Sequence, residues 1–265
     1  MNLVEFWGTK IKPKVVKGKN MLYPIQTGKI NENIYAVRDK DVNMFIYKSK
    51  DQIIAVDSGY KNSEYLKREF KKIDISNKDI SHVFLTHTDL DHAGGLDVNS
   101  GSYFPNHNIY LGKIEEKHLK KQVTRAKILF LKGHVPVDIG NSYNLLEDGQ
   151  IIRIGNIKIE AILVPGHTVG HMCYLVDNKY LFTGDSIVLY YGKAHCFYDT
   201  WNIDSNQLMK SLKKIQKLKG VQMVFTSHNG YTTNFEKAVE VIGEPLKWNS
   251  KNFKGQTGAP YDPYL

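Results

Sequence analysis

Thr86-His87-Thr88-Asp89-Leu90-Asp91-His92-Ala93-Gly94-Gly95 is the stretch that decides how this chain is read. It sets two imidazoles and two carboxylates within six residues. A cluster so rich in lone pairs and negative charge repels itself unless a cation sits among its members. Val83-Phe84-Leu85-Thr86 immediately before it reads as a buried strand, so the cluster stands on a rigid support. Gly94 and Gly95 are read as letting the backbone turn sharply behind it.

Three other segments end strands in the same manner. Val164-Pro165-Gly166-His167-Thr168 follows a hairpin whose arms are 151–154 and 157–164, joined by Gly155-Asn156. Leu181-Phe182-Thr183-Gly184-Asp185 follows a strand pair, 172–176 and 180–183, turned at Asp177-Asn178. Val224-Phe225-Thr226-Ser227-His228 closes a strand that starts at Val221. A lone strand-end histidine is usually structural, and a lone Gly-Asp is usually a turn. Four such segments together offer the nitrogen and oxygen donors that a divalent metal takes from stiff elements.

Working outward, residues 33–37, 44–47 and 53–56 read as strands, and Asp57-Ser58-Gly59 closes the last of them. A helix is expected from about Ser63, with Leu66, Phe70 and Ile73 on one face. Residues 113–133 read as mostly helical and basic. An amphipathic helix over 204–219 carries Leu208, Leu212 and Ile215, capped by Asp204 or Ser205 and ended by Gly220. A last helix starts at Thr233, with Glu236 completing a capping box, and ends near Gly243 and Pro245. Two strand groups, each followed by helices, predict an α/β chain of two packed sheets with helices outside. The whole of 1–265 is read as one domain, with 1–25 an N-terminal extension and 247–265 a C-terminal tail packed across it.

Composition bounds the rest. The 265 residues are 42% hydrophobic and 24% charged, enough apolar content for a substantial core. The formal charge of +9 comes from scattered lysines, which reads as a solvated surface rather than a nucleic-acid patch. The two cysteines, Cys173 and Cys196, form no Cys-x-x-Cys pair, which excludes a disulfide scaffold and a cysteine zinc knuckle. Lys10, Lys12, Lys14, Lys17 and Lys19 interrupt the N-terminus, so no signal peptide or membrane span is read, and the cytoplasm is the default location.

With these segments assembled, the chain resembles the metallo-β-lactamase superfamily from about Ile34 to His228. The resemblance rests on His87-Thr88-Asp89-Leu90-Asp91-His92, Pro165-Gly166-His167-Thr168-Val169-Gly170-His171, Thr183-Gly184-Asp185 and His228. It implies a four-layer αββα sandwich with a two-metal site at one edge. His87, Asp89 and His167 would hold one ion; Asp91, His92 and His228 the other; Asp185 would bridge them, with His171 behind the ligands. It also implies a hydrolase in which a water shared by the ions, its pKa lowered from about 15.7 toward 7, attacks an ester, thioester, lactone or amide of a small molecule. Asp91 would orient that water and collect its proton as the catalytic acid–base group.

Asp89 departs from the pattern, since most of the family has histidine there. Two divalent ions bring a formal +4, and three carboxylates with a hydroxide bring −4, against a sum of +1 with histidine. A less positive core is expected to weaken the Lewis acidity of the ions. A carboxylate is also a harder ligand than imidazole, so iron and manganese stand as alternatives to zinc. The flavodiiron branch places a glutamate at this position, which makes diiron redox chemistry an alternative to hydrolysis. No flavodoxin-like segment is read in the chain. A nuclease or phosphodiesterase is a further alternative, without an aromatic and basic stacking patch to support it. Tyr190, Tyr191, Lys193, His195 and Phe197 follow Asp185 and are candidate substrate contacts. The stretch holding Lys117, Lys120, Lys121, Arg125 and Lys127 reads as a solvated face, with a lid as its alternative. The expected partner is a small molecule, with no membrane; a homodimer is left open.

Overall fold

The computed structural model describes residues 3–6, 10–11, 22–105, 107–128 and 131–246. The tail assigned to 247–265 and most of the extension assigned to 1–25 lie outside the described residues.

The strands in chain order begin with β1 (Gly28–Lys29), β2 (Ile34–Asp39), β3 (Val42–Lys48), β4 (Ile53–Val56), β5 (His82–Leu85) and β6 (Asn108–Gly112). A small hairpin of β7 (Ala126–Ile128) and β8 (Leu131–Gly133) precedes β9 (Asn144–Leu146). The first sheet runs β1-β2-β3-β4-β5-β6-β9, and β4, β5, β6 and β9 are mutually parallel. The second sheet is built from β10 (Ile151–Ile154), β11 (Ile157–Leu163), β12 (Met172–Val176), β13 (Tyr180–Phe182), β16 (Met223–Thr226) and β17 (Gly230–Thr232) in that order. Between them in sequence, β14 (Ile187–Tyr190) and β15 (Lys193–Cys196) form a separate hairpin.

The period-2 alternation of strand side chains builds the layers. Along β3, Val42, Met44 and Ile46 point outward, where α1 (Glu64–Phe70) covers them with Leu66 and Phe70. Phe45 and Tyr47 point inward to the second sheet. The Phe45 ring lies 5.6 Å from Phe182 and 5.1 Å from Phe225. On the far face of the second sheet, Cys173, Leu175, Leu181 and Val224 meet the helices numbered below. Two one-turn helices, α2 (Leu90–Ala93) and α3 (Glu116–Leu119), precede the longer α4 (Ser205–Gln216) and the short α5 (Phe235–Val239). Leu208, Leu212 and Ile215 of α4 and Phe235, Ala238 and Val239 of α5 seal that face. The architecture is therefore the four-layer αββα sandwich. No helix among the described residues is long and apolar enough to cross a membrane.

Helix ends follow local chemistry. Ser63 caps α1 by accepting from the Leu66 N–H, and Asp204 caps α4 by accepting from that of Gln207. The last helix is capped by Asn234, not by the expected Thr233. Residues 113–133 differ most from expectation. Among the described residues there, only α3 is helical; Lys121 adopts φ +55°, which stops the helix, and the chain then forms β7 and β8. Gly94 and Gly95 also play a different part from the one expected. Both continue the helical path, and what demands glycine is close approach: a Cβ on Gly95 would lie 2.2 Å from the Ser58 carbonyl oxygen.

The parallel pairs decide where the chemistry sits. β4 and β5 in one sheet, and β13 and β16 in the other, all end at the same rim. Hydrogen bonds stitch that rim together: Met172 N–H to the Thr86 carbonyl at 2.8 Å, and the Tyr174 hydroxyl to the Leu85 carbonyl at 2.6 Å.

Candidate metal centre

At this rim, His87 follows β5, Asp91 and His92 lie on α2, and His167 joins β11 to β12. Asp185 follows β13 and His228 follows β16. All six are buried. Their donor atoms fall into two groups able to hold an ion: His87, His167 and Asp185; and Asp91, His92 and His228. Asp185 Oδ2 joins the groups. It lies 3.6 Å from His167 Nε2, 3.5 Å from His92 Nε2 and 3.2 Å from His228 Nε2. Asp91 Oδ2 is 3.4 Å from His228 Nε2 and 3.7 Å from His92 Nε2. Tetrahedral bonds of about 2.0–2.1 Å require ligand atoms roughly 3.3–3.4 Å apart, so the spacing fits a cation in each group.

The second ring nitrogens explain the orientation of the imidazoles. His92 Nδ1 is 2.8 Å from Asp57 Oδ2, and His228 Nδ1 is 2.6 Å from the Asp41 carbonyl. His167 Nδ1 is 3.1 Å from Asn202 Oδ1, and His87 Nδ1 is 3.0 Å from Thr86 Oγ1. Each Nδ1 is thus engaged and each Nε2 is aimed at the cluster, an arrangement that holds metal-binding histidines in the right tautomer. Nε2 of His87, His92 and His228, together with Asp185 Oδ1, has no hydrogen-bond partner among the described residues. Buried atoms left this way are costly unless something else satisfies them. The donor set, its spacing and these orphaned atoms fit divalent ions.

Electrostatics agree. Burial, with neighbouring His92, pushes the His87 imidazole down to about 4, leaving it neutral with a free lone pair. Burial opposes charge on His92, but Asp185, Asp57 and Asp91 outweigh it and raise its pKa. Burial would likewise raise Asp185, yet His228 and His92 hold it well below the ordinary carboxylate range. The pocket is built to host positive charge.

His171 is buried beside His87 and His167. Its Nε2 accepts from the Asp185 backbone N–H at 3.1 Å, which fixes the loop carrying that carboxylate. Gly184 makes the approach possible. It adopts φ +53°, and a Cβ there would sit 2.7 Å from both His171 Nε2 and the Thr86 side chain. Gly184→Ala is expected to cost about 1–3 kcal/mol and to displace Asp185. A thermal melt and metal content equal to wild type would contradict this.

Three supporting groups were not recognised as such in the sequence. Asp57, read only as closing a strand, adopts φ +64° and accepts from the Thr86 N–H at 2.8 Å while holding His92. Glu115 is fully buried and takes four hydrogen bonds, from Thr88 N–H (3.0 Å), Thr88 Oγ1 (2.9 Å), Thr168 Oγ1 (2.6 Å) and Gly170 N–H (3.0 Å). It clamps the two ligand loops to each other. Burial raises its pKa to about 7, although Thr168 and Thr88 oppose that rise. Arg125, read as part of a solvated face, turns inward onto Asp89 instead. Nε meets Oδ1 at 2.6 Å and Nη2 meets Oδ2 at 2.5 Å. Asp89 Oδ2 is 3.5 Å from both His87 Nε2 and His167 Nε2, so Asp89 faces the first group with Arg125 at its back. The expected zero-charge core is corrected by this pairing: Asp89 and Arg125 together carry no net charge, as a neutral histidine would.

Of the candidate substrate contacts, Phe197 lies beside the donor cluster, its ring 5.0 Å from that of His167 and 5.9 Å from that of His228. Tyr190, Lys193 and His195 lie on the β14–β15 hairpin, whose tip places Tyr191 in solvent. The His195 backbone bridges to Gly243, and its ring would lie about 2 Å from any Cβ on that glycine.

The model of the family described as "Metallo-beta-lactamase superfamily" matches residues 37–228. The chain belongs to the metallo-β-lactamase superfamily. An atrochrysone carboxyl ACP thioesterase of Aspergillus fumigatus is 32% identical over 100 residues, 37% of this chain and 29% of that protein. A hydroxyacylglutathione hydrolase of Salmonella paratyphi A is 31% identical over 99 residues, 37% of each. The chain thus aligns with well under half the length of these two relatives. Among solved structures, a metallo-β-lactamase family protein of Thermus thermophilus superposes with a TM-score of 0.61, at 15% identity, over 80% of this chain and 78% of that one. That likeness speaks for the fold.

Proposed function

We propose that this superfamily member is a metal-dependent hydrolase of a small-molecule ester or thioester, working with two divalent ions at the rim. His87, Asp89 and His167 would hold one ion and Asp91, His92 and His228 the other, with Asp185 placed to serve both. The observation that carries this reading is the set of buried, unpartnered Nε2 atoms converging on one Asp185 oxygen. When bound, divalent ions supply an acidified water and a Lewis acid for a carbonyl oxygen.

The chain's own residues do the rest. Asp91 is the acid–base group, because its buried carboxylate faces the cluster and can take a proton from the attacking water. Phe197 walls the site and limits the approach of bulk water. The thioester is favoured within the substrate class by the name of the Aspergillus relative. Zinc is the first choice of metal, since four imidazoles converge here and Arg125 neutralises the carboxylate that had favoured iron or manganese. The same pairing weakens the flavodiiron parallel. The hairpin residues Tyr190, Tyr191, Lys193 and His195 remain the proposed outer substrate contacts. Two buried free thiols, Cys173 and Cys196, suit a reducing, cytoplasmic setting.

The test is elemental analysis followed by a panel of thioesters, lactones and β-lactams with each metal restored. Zinc-dependent turnover of a thioester is expected, lost with chelator, and Asp91→Asn should keep the fold while losing at least about 100-fold in rate. Metal-independent turnover, or an Asp91→Asn rate near wild type, would remove the proposal or the role of Asp91 respectively.

A further inference from the structure

We propose that the protein carries a second small-molecule site, at the open edges of its two sheets, for an amphipathic carboxylate: an apolar body with one anionic head. The site lies apart from the metal centre and does not depend on ions being bound there.

The space arises because β1 ends one sheet and β17 ends the other. Residues 22–26 are pinned beside those edges. The Tyr23 N–H donates to the His228 carbonyl at 2.7 Å, and Ile25 exchanges two hydrogen bonds with the Asn43 side chain, at 2.8 Å and 2.9 Å. A cavity of about 530 Å³ opens against this segment, with Gly28 and Lys29 of β1 and Tyr231 of β17 in its wall. That volume falls in the range of small-molecule sites, about 300–1,000 Å³. None of the metal-centre donors lines it. A Cβ added to Gly28 would meet no atom within 4 Å, so the wall is open there.

The lining defines the ligand. Ile25, Ile30 and Tyr231 pack on the core between the sheets and give the cavity an apolar floor. Its charged side chains are Arg38 and Lys29, and no carboxylate is among the described lining residues. Arg38 Nε donates to the Lys40 carbonyl at 2.8 Å, which fixes the guanidinium. Its Nη1 and Nη2 have no hydrogen-bond partner among the described residues. Two parallel N–H donors of this kind match the two oxygens of a carboxylate. Arg38 also lies within charge range of Glu69, whose carboxylate is already taken by Lys72 Nζ at 2.6 Å and by the Thr27 hydroxyl. Lys29 is paired only with Glu32, at 2.9 Å and with that carboxylate side chain 91% exposed. Such a surface pair is weak enough for a ligand to replace.

The test is a calorimetric titration with octanoate, and with 1-octanol as its uncharged counterpart, on zinc-loaded and on chelator-stripped protein. Octanoate should bind saturably at one site in both forms, with dissociation constants within about threefold of each other. Arg38→Gln should weaken octanoate by about tenfold or more, the loss of a hydrogen-bonded charge, and octanol by less than about threefold. Gly28→Trp fills the cavity and should abolish the binding of both. Thermal melts check folding; Arg38→Met and Gly28→Leu serve if the first variants do not fold. No saturable octanoate binding overturns the proposal. So does binding at full affinity in either folded variant, and so does binding seen only with zinc present, which would place octanoate at the metal centre.

Discussion

In Asp185→Asn, metal content at saturating zinc falls to one ion per chain or fewer, and turnover falls by more than about 100-fold. Loss of a group that merely supports a ligand already costs about 10–100-fold in affinity or activity, and Asp185 faces both groups directly. The amide keeps the volume and one acceptor oxygen, so the loop held by His171 stays in place. What disappears is the negative charge that His92 and His228 face. Elemental analysis and circular dichroism on the same sample check the result. Two full equivalents of zinc in a folded variant would remove Asp185 from the shared position.

Glu115→Ala should be the most destabilising single change near the site. It strands four donors, Thr88 N–H and Oγ1, Thr168 Oγ1 and Gly170 N–H, in a buried setting. A buried unsatisfied group costs about 1–3 kcal/mol, and the threonine hydroxyls can turn to other acceptors while the two amides cannot. A loss of about 3–5 kcal/mol follows, read as a fall of roughly 10 °C in melting temperature. Metal affinity should fall as well, because the loops bearing Asp89 and His167 are no longer tied together. Glu115→Gln retains an acceptor for Thr88 and should lie between. A melt within a degree or two of wild type for Glu115→Ala would show that the clamp contributes little.

The clustered histidine and carboxylate donors were legible in the sequence because their segments follow short apolar strands, and both signals are local. β4, β11 and α4 were legible for the same reason, through alternation or a helical stripe with a cap. Asp57, Glu115 and Arg125 were missed as supporting groups because their roles exist only across the fold. Asp57 reaches His92 over 35 positions, and Arg125 reaches Asp89 over 36. Nothing in the neighbourhood of Arg125 distinguishes it from Lys120 or Lys121. The stretch 113–133, read as mostly helical and basic, misled: Lys121 takes a left-handed backbone conformation, and the chain beyond it pairs β7 with β8. Gly94 and Gly95 illustrate the same limit: the residue type was informative, but the reason was a neighbouring carbonyl and not a turn.

Anomalous diffraction at the zinc edge, from crystals grown in excess zinc, tests most directly whether two cations share Asp185 at the rim where both sheets end. Two peaks about 3.5–4 Å apart are expected, one against His87 and His167 and the other against His92 and His228, with the Asp185 carboxylate touching both. A map with no peak among these side chains, or with zinc bound only elsewhere on the surface, would contradict it.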